Sequence, residues 1–174
     1  MLSGIAFMGG IHGVGKSTIC KQICKEIKAN YLSASELIKW SAINEDLKNK
    51  KVSDIPLTQN RLIEGLRRYT EKSKYYLLDG HYCLLNKENK IIKIPYETFE
   101  IIQPISLHLI IGDVEEIKNR LESRDNRKYN LELLREMQDA ELSYANELAQ
   151  KLGIDLAIGK GRDHSSIVKL LKKI

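Results

Sequence analysis

The chain has 174 residues, 43% of them hydrophobic, and a formal net charge of +5, which suits one folded domain with a single sizeable core and leaves little room for a second. No apolar run approaches the roughly 20 residues a bilayer crossing needs, and the N-terminal Met-Leu-Ser-Gly-Ile-Ala-Phe-Met lacks the basic start and cleavage site of a signal peptide, so the chain reads as soluble, cytoplasmic and without a membrane partner. The charge suits polyanionic ligands, but the densest basic patch, Lys48-Asn49-Lys50-Lys51, has no interleaved aromatics, so nucleic-acid binding is unsupported.

Leu2 to Met8 is an almost continuous apolar run ending in Gly9-Gly10, the pattern of a parallel strand buried on both faces. Gly10-Ile11-His12-Gly13-Val14-Gly15-Lys16-Ser17 follows it as a complete G-x-x-x-x-G-K-[ST] phosphate-binding loop, and Ser17 to Ala29 continues with Ile19, Ile23 and Ile27 on one helical stripe. Cys20 and Cys24 on that helix, and Cys83 further on, have no companion metal-ligand spacing and read as buried thiols. A short strand at Asn30 to Leu32 precedes a helix that starts at Ser33, with Glu36 completing a capping box, and carries Leu37, Ile38 and Trp40. Asn44 to Pro56 is polar, with Asp54-Ile55-Pro56 as a break, and a further helix is expected over Leu57 to Lys72.

Tyr75-Tyr76-Leu77-Leu78-Asp79-Gly80 is an apolar strand with an acid at its end. Tyr82 to Ile94 reads as a small β-hairpin turning at Asn86 to Asn89. Beyond it come a short helix over Pro95 to Ile102, a strand over Ser106 to Ile111, and a helix over Asp113 to Ser123 capped by Asp113. A long helix over Asn130 to Leu152 is stopped by Gly153, and a strand over Asp155 to Gly159 and a helix over Asp163 to Lys173 complete the chain. The alternation predicts an α/β fold: a single P-loop NTPase domain over 1–174 with a five-stranded parallel sheet, helices on both faces, and the hairpin at about 82–94 beside it. Ligands then bind at the carboxyl ends of the strands, where Gly9, Asp79 and Asp113 fall.

In such a loop the backbone of Gly10, Gly13, Val14 and Gly15 cradles phosphates with Lys16, Ser17 and Thr18, Lys16 reaches the terminal phosphates, and the Ser17 hydroxyl ligates Mg²⁺, which makes a nucleotide with Mg²⁺ the expected ligand. Asp79 on a neighbouring strand is a second Mg²⁺ ligand, partly through water, or a base; its structural alternative is a strand-end cap. His81, two residues on, either contacts substrate or stacks against the loop. Arg120 and Arg124 share a helix face and Arg127 follows in the Asp125 to Asn130 segment, so their charges can converge on a migrating phosphoryl group or form a solvated basic face.

On these residues the chain resembles the P-loop nucleoside monophosphate kinases, and most closely the archaeal-type adenylate kinases. Gly10 to Ser17 is similar to the family's nucleotide loop, Leu77 to His81 to its strand ending in Asp, a small residue and His, and Arg120-x-x-x-Arg124 to the arginine pair opening its lid. The segment Leu133 to Leu152, with Glu141-Leu142-Ser143-Tyr144-Ala145, is similar to the long helix after that lid. The resemblance implies an ATP-dependent phosphotransferase with ATP and Mg²⁺ as donor, a nucleoside monophosphate acceptor, a short lid at about 124–130 and an acceptor region at about 33–72, where Gln59 and one of Arg61, Arg67 and Arg68 stand for the family's acceptor contacts. Two alternatives stay open: a kinase for another small-molecule or polynucleotide hydroxyl, and a regulatory ATPase or nucleotide switch acting through a protein partner. The oligomeric state is left open.

Overall fold

A computed structural model describes residues 4–43, 55–86 and 88–173. In chain order the elements are β1 (Ile5–Gly9), α1 (Lys16–Ile27), β2 (Asn30–Ser33), α2 (Ala34–Ile43), α3 (Ile55–Tyr69), β3 (Tyr76–Asp79), β4 (Cys83–Leu85), β5 (Ile91–Lys93), α4 (Tyr96–Ile102), β6 (Ser106–Ile111), α5 (Val114–Asp125), α6 (Leu131–Leu152), β7 (Leu156–Lys160) and α7 (Ser165–Leu171). The main sheet has five strands in the order β2-β3-β1-β6-β7, all paired in parallel. The register sets Met8 beside Asp79 and Asp79 beside Ser33, so the loop after β1 and the acid ending β3 emerge at one edge.

Strand alternation divides the core into two layers. Ile5, Phe7, Leu78 and Leu109 face a cluster with α2, α3, α4 and α6 through Leu37, Leu66, Phe99 and Tyr144. Ala6, Met8, Leu77 and Ile110 face the other side and meet α1, α5 and α7 through Ile23, Ile117 and Ile167. Cys20 and Cys24 lie in the second layer and Cys83 in the first, all buried free thiols. The predicted hairpin forms as the antiparallel pair β4–β5; the Asn86 side chain closes its turn by accepting from the backbone of Glu88 and Lys90, each at 2.9 Å. Among the described residues no helix is long and apolar enough to cross a membrane.

Several boundaries shift for local reasons. The first helix starts at Lys16, one residue early, and ends where Lys28 turns left-handed at φ 57. The third begins at Ile55, so Ile55 and Pro56 belong to the helix and make no break: Pro56 stands in the first turn, where a missing N–H costs nothing and the fixed φ suits the helix. That helix ends at Tyr69 instead of Lys72. Ser33 shares a hydrogen bond with Ser35 Oγ at 3.0 Å. The expected start of the first strand at Leu2 and Ser3, the loop over 44–54 and Lys87 of the hairpin turn lie outside the described residues.

Two caps hold the helices that carry the basic segment. Asp113 Oδ1 accepts from Glu116 N at 2.9 Å, and Asn130 Oδ1 from Leu133 N at 3.1 Å. Asp113→Ala and Asn130→Ala should each cost about 1 kcal/mol of stability in urea denaturation, while Asn130→Gly should cost only a few tenths.

Candidate active site

The loop after β1 is shaped by its glycines. Gly15 has φ 95 and directly precedes α1, a left-handed conformation that a side chain would strain. Among the described residues no side chain caps that helix start, and no acidic residue stands in its first turn, which leaves its N–H groups and positive dipole end suited to an anion. Val14 turns its side chain into the core beneath the loop.

Lys16 is 8% exposed, and its Nζ lies 2.7 Å from Asp79 Oδ1. The Ser17 hydroxyl donates to Asp79 Oδ2 at 2.6 Å, and the Tyr31 hydroxyl to the same oxygen at 2.9 Å. Asp79 is therefore held from α1 and from β2. Ser17 and Asp79 present hard oxygen donors at the foot of the cradle, a set that fits Mg²⁺, which takes few protein ligands and leaves the remaining positions to phosphate and water. Among the described residues no cluster of three or more His, Cys, Asp or Glu forms a separate metal site.

Two cavities meet at this point. One, of about 360 Å³, is lined by the loop and Thr18 on one side and by Arg120 and Arg124 of α5 on the other. The other, of about 290 Å³, has an apolar floor of Phe7, Ile38, Leu62, Phe99 and Ile102, with Ser33, Ser35, Gln59, Thr98, Asp79 and His81 as its polar groups. His12, Lys16 and Ser17 line both. The rings of His12 and His81 lie 4.3 Å apart between centroids. Burial first, then the charge of Lys16 and the neighbouring His12, hold His81 well below the ordinary histidine range, so the 3.8 Å approach of its Nδ1 to Glu141 is not an ion pair.

Of the three arginines, Arg120 and Arg124 share a wall of the first cavity, and Arg127 separates from them. Arg120 bonds the Glu116 carbonyl at 3.4 Å, and Arg124 grips the adjacent Asp125 with two bonds of 2.6 and 2.9 Å. Arg127 stands away from both cavities: its Nε donates to the Tyr129 hydroxyl at 2.9 Å and its guanidinium lies 4.7 Å from that ring. The Tyr129 hydroxyl in turn donates to Asp125. Of the expected acceptor contacts, Gln59 lines the second cavity, whereas Arg61, half-buried on the same helix, does not.

Helix α6 supplies two contacts that the motifs do not announce. Gln138 holds the end of β6 by accepting from Gly112 N at 2.9 Å and donating to Gly112 O at 3.1 Å. Glu141 is fully buried and accepts from Gly10 N, Tyr82 N and Cys83 N at 2.9, 2.9 and 3.0 Å. Burial pushes its carboxyl up to about 7 against the opposing pull of those N–H groups and of Lys16. The folded state thus holds a proton that the unfolded state releases near the ordinary glutamate value. The stability difference between wild type and Glu141→Gln should favour wild type most below pH ~4.5, decline as pH rises to about 7, and level off above it. Urea denaturation at a series of pH values reads this directly; a flat difference would mean that the carboxyl titrates normally.

The family model AAA_17, described as AAA domain, matches residues 9–138. The chain belongs to this AAA domain family. It is also similar to the adenylate kinase of Pyrococcus horikoshii, at 24% identity over 97% of this chain and 85% of that one. Among solved structures, this AAA domain is similar to a gluconokinase from Sinorhizobium meliloti, with TM-score 0.58, 12% identity and coverage of 99% and 93%. An uncharacterized protein from Eubacterium ventriosum is similar at TM-score 0.51 and 13% identity, with coverage of 97% and 96%. At such identities the structural likeness establishes the architecture alone, a single α/β domain of P-loop kinase-like fold.

Proposed function

We propose that this chain is an ATP-dependent phosphotransferase acting on a nucleoside monophosphate. The observation that carries the reading is the junction of the two cavities at Lys16 and Ser17, both bonded to Asp79 of the second: one side is an anion cradle suited to a nucleoside triphosphate, the other a slot with an apolar floor and, beyond the Asp79 carboxylate at the junction, uncharged polar groups suited to a second small molecule. The nucleoside monophosphate as acceptor is supported by the full-length similarity to the Pyrococcus horikoshii adenylate kinase.

In this reading the loop backbone and α1 bind the donor phosphates, and Lys16 exchanges Asp79 for the terminal phosphate. Ser17 and Asp79 would hold Mg²⁺, which supplies charge neutralisation on the phosphates when bound. Arg120 and Arg124, on the far wall, face the oxygens on which negative charge accumulates. The segment 124–130 acts as a short lid, and the second cavity, between α2 and α3, orients the acceptor for in-line attack. Phosphate acceptors arrive anionic and need no strong base. An acceptor hydroxyl is the second reading, favoured by Asp79 lining the acceptor cavity, where its carboxylate can take the proton.

The test is ADP formation from ATP and Mg²⁺ with a panel of nucleoside monophosphates, nucleosides, small polyols and oligonucleotide ends, the phosphorylated product identified by mass. Phosphorylation of a nucleoside monophosphate supports the first reading. Phosphorylation of hydroxyl compounds alone moves the assignment to the second, and ATP turnover that no panel member accelerates would favour a regulatory ATPase.

A further inference from the structure

Glu141 occupies the middle of α6, yet its carboxylate belongs to neither cavity. Oε2 accepts from Gly10 N, the first residue of the phosphate loop, at 2.9 Å. Oε1 accepts from Tyr82 N and Cys83 N at 2.9 and 3.0 Å, the residues that carry the chain from Gly80 and His81, walls of the second cavity, into β4. The contact is tight: a Cβ on Gly9 would lie 2.2 Å from the Tyr82 ring and 3.0 Å from Oε2, so only glycine lets the two segments close around this side chain. The side chain is fully buried, where an N–H without a partner is costly.

We infer that Glu141 is the positioning residue that fixes the phosphate loop relative to the acceptor wall, so that one carboxylate sets the register between the two substrates. The inference rests on the two-substrate reading of the cavities. A carboxylate is required by the count of donors. Ionised, as it is above pH ~7 where the comparison is made, it is acceptor-only and serves all three N–H groups, whereas a carboxamide has one acceptor oxygen and one NH₂ donor. In Glu141→Gln the oxygen stays with the Tyr82 and Cys83 pair, which offers two bonds, and the NH₂ turns toward Gly10 N–H, where donor meets donor. The substitution keeps the shape of the side chain and releases the phosphate loop alone.

The experiment compares wild type and Glu141→Gln by calorimetric titration with ATP, by steady-state kinetics normalised to folded sites, and by thermal melting. E141Q is expected to bind ATP about tenfold more weakly and to lose roughly 10²-fold in kcat, the cost of a small misplacement of reacting groups, with acceptor KM within about threefold. ATP affinity and kcat per folded site both within twofold of wild type would overturn the inference and leave Glu141 a packing residue. A rise in acceptor KM at unchanged ATP affinity would overturn the assignment to the loop. The ATP titration needs no turnover, so it remains decisive even if wild type transfers no phosphoryl group and the kinase reading falls. Should E141Q not fold, hydrogen exchange on wild type decides. ATP is expected to slow exchange at the Tyr82 and Cys83 amides together with that at Gly10; protection confined to the loop would overturn the link.

Discussion

Replacing Lys16 with methionine, which keeps most of the side-chain volume and removes the charge, should lower the rate of phosphoryl transfer by roughly 10²–10³-fold, the scale on which a preorganised charge at the reacting centre contributes. The same substitution strips a cation from Asp79, which is 5% exposed at its side chain and 2.7 Å from Lys16. Leaving a buried carboxylate without its cation costs about 3 kcal/mol, the low end of the usual range because Ser17 and Tyr31 still donate to it. Lys16→Met should therefore be both much slower and less stable. Adding Asp79→Asn to Lys16→Met should restore most of the lost stability and none of the activity, a double-mutant cycle read by urea denaturation beside a transfer assay. Full stability in the single variant would mean that the pair contributes nothing to the ligand-free fold.

Arg124→Ala should lower kcat by roughly 10³-fold, as removal of a guanidinium that meets the transition-state charge does, while ATP affinity changes by no more than about threefold. The asymmetry follows from geometry. Arg124 lines the cavity beside the loop but is bound to Asp125 by two bonds, so it leaves one carboxylate partner for another anion and gains little in the ground state. Arg127, held on Tyr129 and away from the cavity, should show a smaller loss on the same substitution. Equal losses in kcat and in ATP affinity for Arg124→Ala would place that residue in ground-state binding.

The sheet and its helices were legible because β1, β3 and β6 are short apolar runs closed by Gly or Asp and the long helices α5 and α6 carry their own starts or stops. Ser106–Ile111 emerged with the boundaries the pattern gives, and Asp113, Asn130 and Gly153 mark ends that the backbone uses. Pro56 was misread as a break because a proline inside a helix and one in its first turn look alike until the preceding residues are placed. The Lys16, Ser17 and Asp79 constellation followed from motif and strand register together. Tyr31 was hidden because its role depends on β2 pairing beside β3, which no local pattern announces. Glu141 did leave a signal: it stands in the helical stripe of Met137, Tyr144, Ala145 and Leu148, all buried, and an acid in an apolar stripe must have partners. What those partners are depends on contacts 58 to 131 residues away along the chain, beyond the reach of spacing arguments.

The central claim is that the junction at Lys16, Ser17 and Asp79 passes a phosphoryl group from one cavity to the other. It is tested most directly by following γ-labelled ATP in a single turnover with Mg²⁺ and saturating acceptor. The account predicts that the label appears on the acceptor, one phosphorylated product for each ADP, and that Lys16→Met slows its appearance by roughly 10²–10³-fold. Label released as inorganic phosphate in step with ADP, whatever acceptor is present, would contradict it.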